Sequence, residues 1–173
     1  MNTLDTALAA RRDDLIALTQ ALIRVPTLNP PGRDYRTICE LLEARLAPAG
    51  WRCTMIRAQG APGDSEAFPR WNLVARRDGA RPGDCVHFNS HHDVVEVGHG
   101  WTLDPFGAEH VAAEDRIYGR GACDMKGYLA CVLAMVPELT TNSRARSPSL
   151  GMAAFGFHSP IAMREARASR TCR

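Results

Sequence analysis

Apolar residues recur at helical spacing over residues 3–25, where Leu15, Leu18, Leu22 and Ile23 follow Leu4 and Leu8 a few turns earlier. The run "VPTLNPPG", with three prolines and a glycine, stops that helix. A second amphipathic helix is predicted over Tyr35 to Leu46, with Ile38, Leu41, Leu42 and Leu46 on one side and Pro48 and Gly50 ending it. Alternation at period two then predicts strands at 51–57 ("WRCTMIR"), 71–77 ("WNLVARR") and 85–90 ("CVHFNS"), separated by turn-rich loops at 61–70 and 78–84. After a loop rich in Gly and Trp, "RIYGRG" (116–121) reads as a short strand and a glycine turn. "DMKGYLACVLAMVPEL" reads as a helix with Met125, Leu129, Val132, Leu133 and Val136 on one face. Helices and strands in this order predict an α/β fold.

Composition narrows the class. The chain has 173 residues, 45% apolar and 23% charged, enough for one domain, or one and a piece, with a real core. A net charge of +2 gives no reason to expect a nucleic acid or an anionic membrane as partner. There is no run of 18 apolar residues, and charge is mixed into every turn of the N-terminus, so neither a membrane span nor a secretory signal is expected. The six cysteines form no CxxC pair, which suits reduced thiols in a cytoplasmic protein. The charge is uneven, however. Residues 140–173 hold six arginines and a single acid, Glu165, and show no clear period, although the short run "GMAAFGF" could pack as a strand. The expected division is 1–139 and a poorly ordered tail, 140–173.

Candidate chemistry gathers in "VHFNSHHDVVEVGHGW", which holds four histidines and two carboxylates between Val86 and Trp101. His91 and Asp93 stand as H-x-D just past a strand, so their side chains share a side of extended chain. A carboxylate there can accept from one ring nitrogen, fix the tautomer and leave the other nitrogen free for a metal. Taken alone, the pair reads as plainly as a capped histidine in a turn. A second cluster, "YGRGACDMKG", puts Asp124 after a glycine turn, where it can be a helix N-cap or can offer one oxygen to each of two metals. Arg120 and Lys126 nearby read as structural ion-pair partners.

"SHHDVV", "GWTLDPF" and "IYGRGACDMKG", with the opening "LIALTQALIRVPTLNPPG", closely resemble the M20 metallopeptidase family over residues 12 to about 139. This is the group of acetylornithine deacetylase, succinyl-diaminopimelate desuccinylase, aminoacylase and carboxypeptidase G. The resemblance implies an incomplete zinc-peptidase-like catalytic domain, a mixed sheet flanked by helices, with the lid and dimerisation domain absent. It implies His91 as a metal ligand, Asp124 as the carboxylate bridging two divalent ions (zinc, or cobalt or manganese), and Asp93 as the catalytic-site carboxylate that orients His91. His92 falls at a variable position and is not expected to be a ligand. His87 reads as a strand residue, His99 as a rim residue, and Trp101, Asp104, Pro105 and Phe106 as packing. Ser90 and Glu96 depart from the family's frequent Gly and Pro.

The implied activity is hydrolysis of a carbon–nitrogen bond other than a peptide bond, in a small N-acyl amino acid, of the acetylornithine deacetylase kind. By resemblance, the general base is a glutamate near positions 154–164, but "AFGFHSPIAMR" there contains no carboxylate. No general base is therefore assigned in this chain, metal binding is expected to be weak or partial, and the alternative is a non-catalytic fragment or pseudoenzyme. A shifted reading frame in GC-rich coding DNA would give the Arg- and Ser-rich composition of 140–173. The sequence leaves the oligomeric state open.

Overall fold

The computed structural model describes residues 6, 9–78, 87–141 and 152–155. Helix α1 (Arg12–Ile23) carries Asp13 and Asp14 in its first turn, where carboxylates favour the positive end of the helix dipole, and it buries Leu18, Thr19, Leu22 and Ile23. Ala9 and Ala10 are helical too, but Arg11 is a turn, so the regular helix is shorter than the apolar spacing suggests. Helix α2 (Tyr35–Leu46) buries Tyr35, Ile38, Cys39, Leu42 and Leu46. An Arg36–Glu40 pair at 2.8 Å braces its exposed side. A single 3-10 turn (Ala47–Ala49) holding Pro48 then leads to Gly50 at φ 82°, which ends the run.

Strands β1 (Arg52–Arg57) and β2 (Trp71–Arg76) pair antiparallel, with Cys53 opposite Ala75 and Met55 opposite Leu73. Strand β3 (His87–Ser90) runs into the histidine cluster. Strands β4 (Glu109–Val111) and β5 (Arg116–Tyr118) form a separate two-stranded ribbon. Helix α3 (Gly127–Thr141) follows the glycine turn. Strand β6 (Met152–Phe155), part of the "GMAAFGF" run, lies between β2 and β3. The sheet order is thus β1-β2-β6-β3, with β6 antiparallel to β2 and parallel to β3, which makes the sheet mixed as expected. The rest of the tail lies outside the described residues.

Helices α1, α2 and α3 pack with the sheet around one core containing Leu18, Leu22, Ile38, Leu42, Leu73, Leu129 and Leu133. Arg45 of α2 reaches Asp14 of α1 across its flank. The described cysteines, Cys39, Cys53, Cys123 and Cys131, are free thiols. No helix among the described residues is long and apolar enough to cross a membrane.

Two elements differ from the reading of the sequence. Strand β4 lies where a loop was expected, because three residues are too few to show a period, and the ribbon is defined by pairing with β5 rather than by its own pattern. The helix expected to begin at Asp124 begins instead at Gly127. Residues Ala122–Lys126 form a wider π-type turn in which Asp124 (φ −124°, ψ 93°) and Met125 (φ −140°, ψ 34°) have left helical geometry. That departure turns Asp124 away from the helix and into the cleft beside His91.

Candidate metal centre

β3 delivers His91 at its C-terminal end, where α/β folds commonly place ligand-binding groups. The structure brings His91 and Asp124 together: Nε2 of the imidazole lies 2.9 Å from Oδ1 of the carboxylate. On the other side of the ring, Nδ1 faces the Asp93 carbonyl oxygen at 3.1 Å and Asp93 Oδ1 at 3.3 Å. Asp93 Oδ2 in turn accepts from Asn29 Nδ2 at 2.9 Å. The order Asn29–Asp93–His91–Asp124 runs from the interior outward, and Asp124 is 86% exposed. The cleft in front of the pair has a volume of about 370 Å³, with Trp101, Arg120, Gly121 and Cys123 among its walls.

The electrostatics follow from this order. The Asp93 side chain, hydrogen-bonded to Nδ1, pushes the His91 pKa up to about 9, with Asp124 adding to the effect and burial opposing it. Burial also works against the charge on Asp93, but hydrogen bonds from His91 and Asn29 overcome it and hold that carboxyl down at about 2. Without a cation, the ring is therefore an imidazolium held between two carboxylates. A divalent ion would replace the proton on Nε2.

The neighbouring histidine faces the other way. His92 is fully buried, with Nε2 at 3.1 Å from the Trp71 carbonyl and 3.8 Å from Cys39 Sγ. Its ring meets Tyr35 edge-on, with centroids 4.8 Å apart, and its Nδ1 has no hydrogen-bond partner. Burial lowers its pKa to about 4, so the ring is neutral. His87 begins β3 and is exposed, and His99 sits at an exposed bend. Asp104 accepts from the Phe106 amide at 2.9 Å, a local turn contact that suits a packing role.

Arg120 and Lys126 correct the expectation of ion pairing. Arg120 donates to the Val97 carbonyl at 2.9 Å and lies 5.3 Å from the centre of the Trp101 ring. Lys126 is fully buried and donates from Nζ to the Val25 carbonyl at 2.6 Å. Burial depresses its pKa to about 7, while Asp93 and Asp34 act in the opposite sense from a distance. Reading the sequence also missed Asn29 and Tyr35. Tyr35 is buried beside Asp93 and Arg70, and its hydroxyl pKa is raised mainly by burial. The "NPPG" turn signal located Asn29 in a loop but carried no hint of the side chain's direction.

The pair suits a divalent cation in kind: an imidazole nitrogen backed by a carboxylate, and a second, solvent-facing carboxylate. It is small in number. Among the described residues, no group of three or more His, Cys, Asp or Glu side chains is arranged to hold a metal ion.

Sequence and fold comparisons agree on the class. Residues 87–154 match peptidase family M20/M25/M40, and the chain is similar in sequence to part of the length of curated relatives. It is 43% identical over 126 residues to the succinyl-diaminopimelate desuccinylase of Rhodospirillum rubrum, covering 73% of this chain and 29% of that protein. The corresponding desuccinylase of Dinoroseobacter shibae is 38% identical over 132 residues, covering 75% of this chain and 31% of the relative. The chain therefore spans about a third of the length of these curated relatives. Among solved structures, human carnosine dipeptidase 1 superposes with a TM-score of 0.72 at 19% identity, covering 99% of this chain and 37% of that one. The dipeptidase Dug1p of Saccharomyces cerevisiae gives 0.72 at 17% identity, covering 93% and 36%. At those identities the likeness is one of fold.

Proposed function

We propose that this chain supplies the His91–Asp124 side of a metal-dependent amide hydrolase that removes an acyl group from a small N-acyl amino acid. The observation that carries the reading is the 2.9 Å approach of His91 Nε2 to Asp124 Oδ1, with Asp93 behind the ring. The named relatives favour a succinyl group on a diamino acid as the first substrate to try, with N-acetylornithine second. The free thiols of Cys39, Cys53, Cys123 and Cys131 favour a cytoplasmic setting.

In this role His91 and Asp124 would be the residues that hold divalent cations, with zinc first and cobalt or manganese as alternatives. When bound, such ions polarise the scissile carbonyl and bring the pKa of water down to about 7. The protein's own contribution is orientation. Asp93 keeps Nδ1 protonated, which turns Nε2 outward as the ligand atom, and Asn29 keeps Asp93 from rotating. The Arg120–Trp101 pair forms one wall of the cleft.

Among the described residues, two ligand side chains are fewer than the three that catalytic zinc sites normally use. We therefore propose that the 173-residue polypeptide binds metal weakly and has no turnover of its own. Cobalt(II) titration, followed by visible absorption, tests both parts, with N-succinyl and N-acetyl amino acids assayed alongside. Weak binding that is lost in Asp124→Ala, without hydrolysis, is the expected result. Binding that is indifferent to both His91→Ala and Asp124→Ala would sink the assignment of the site, and measurable hydrolysis would overturn the second part alone.

A further inference from the structure

His91 and Asp124 lie on separate segments, and a third segment, residues 25–29, holds on to both. On the His91 side it runs as a short parallel bridge beside residues 92–94. The Asn29 amide donates to the Val94 carbonyl at 2.8 Å, the Val94 amide to the Thr27 carbonyl at 2.9 Å, and Thr27 Oγ1 to the His92 carbonyl at 2.5 Å. Asn29 adds its side-chain bond to Asp93 at 2.9 Å. Two main-chain bonds and two bonds from side chains thus fix this segment against the H-x-D loop.

On the Asp124 side the link is Lys126, whose Nζ donates to the Val25 carbonyl at 2.6 Å. Its own amide closes the π-type turn by donating to the Gly121 carbonyl at 2.8 Å. Gly121 has φ +88°, and a Cβ there would stand 2.7 Å from Val94 Cγ1 and 3.2 Å from Lys126 Cδ. Only glycine lets the turn pass between those two side chains. Lys126 is also the one lysine in the chain. Taking an ammonium out of water costs several kcal/mol, and a methionine would fill similar space without that cost. Stability alone therefore gives a weak reason for a lysine at this position.

We propose that segment 25–29 sets the separation of the two metal-binding side chains, with Asn29 positioning His91 through Asp93 and Lys126 positioning Asp124 through the Val25 carbonyl. Both are positioning residues, since neither faces the cleft position where a cation would sit. The affinity readout rests on the metal reading above, whereas the geometry does not.

The test uses the full chain and two readouts. In cobalt(II) titrations, Asn29→Ala and Lys126→Met each weaken binding by about 10- to 100-fold, the usual effect of removing an outer partner of a metal ligand. In an Asp93→Ala background, Asn29→Ala adds less than about twofold, because its route to the metal is already cut. An unchanged affinity in either single variant, or an undiminished loss in the Asp93→Ala background, overturns the proposal. Should Asn29→Ala fail to fold, Asn29→Ser stands in for it, since it keeps a polar loop residue but is too short to reach Asp93. The second readout is metal-free: the ¹⁵N shifts of the two His91 ring nitrogens at fixed pH. Both Asn29→Ala and Lys126→Met move the Nε2 shift towards that of Asp124→Ala if segment 25–29 holds the pair, and unmoved shifts overturn the inference. If the unsubstituted chain takes no cobalt, the metal reading falls, and the ring shifts still decide this one.

Discussion

His91 and His92 are covalent neighbours, yet one imidazole is pushed up to about 9 and the other down to about 4. The alternation of extended chain sends successive side chains to opposite sides. One ring lands between two carboxylates at the mouth of a cleft, and the other lands under Tyr35 in the core with a carbonyl and a thiol for company. Residue type explains none of this difference. What decides it is whether the ring's charged form is hydrogen-bonded or desolvated. The same reasoning separates Asp93, held ionised inside the fold, from Lys126, whose ammonium is discouraged by the burial around it.

Substituting the two histidines in turn is the strongest way to break this contrast. On the proposed metal reading, His91→Ala should reduce cobalt affinity by more than about 100-fold, since it would remove a ligand atom rather than a supporting partner. Above about pH 9, where the raised pKa of His91 no longer contributes to stability, it should leave the urea midpoint close to that of the unsubstituted chain. His92→Ala should do the reverse. It opens a cavity and strands the Trp71 carbonyl, costing about 3 kcal/mol in urea unfolding, with a smaller, indirect effect on metal. Equal effects of the two substitutions on both measurements would mean that the site and the core are one unit, and the contrast would fail.

A smaller effect sharpens the comparison through pH. Between about 6.5 and 4 the unfolded chain binds a proton at His92 that the folded chain refuses. Protons then favour the unfolded state, and stability falls as pH drops through that window, by at most about 1.4 kcal/mol per pH unit. Asp93 contributes the same sign lower down, between about 4 and 2, because its folded carboxylate stays ionised after the unfolded one has taken up a proton. His91 has the opposite sense in the metal-free chain. Its contribution is complete below about 6.5 and is lost as pH rises through 9. Urea midpoints of His92→Asn measured from pH 7 to 4 should show a flatter acid limb than the unsubstituted chain, and an identical slope would remove His92 from the account.

Local pattern made part of the site legible. The H-x-D spacing put His91 and Asp93 on one side of extended chain, and the glycine turn before Asp124 marked a close approach. The periods of α1, α2 and α3 likewise announced the faces that Leu22, Leu42 and Leu133 bury. The rest depends on contacts between residues far apart in sequence. Nothing near Lys126 says that its amine reaches a carbonyl 101 residues away, and nothing near Asn29 points to Asp93, 64 residues on. Asp124 looked like a helix start because glycine turns so often precede one, whereas the backbone angles of the π-type turn depend on what packs against it. Strand β6 was readable as an apolar run able to pack as a strand, but its central place in the sheet comes from the two strands on either side.

The solitary lysine has a practical corollary. A polypeptide whose only side-chain amine is sealed from solvent carries its own reporter of transient opening. An acylating reagent in water can modify Lys126 only during excursions that part residues 25–29 from the turn after Gly121. The rate of that modification, followed by mass spectrometry, therefore clocks how often the two halves of the pocket come apart.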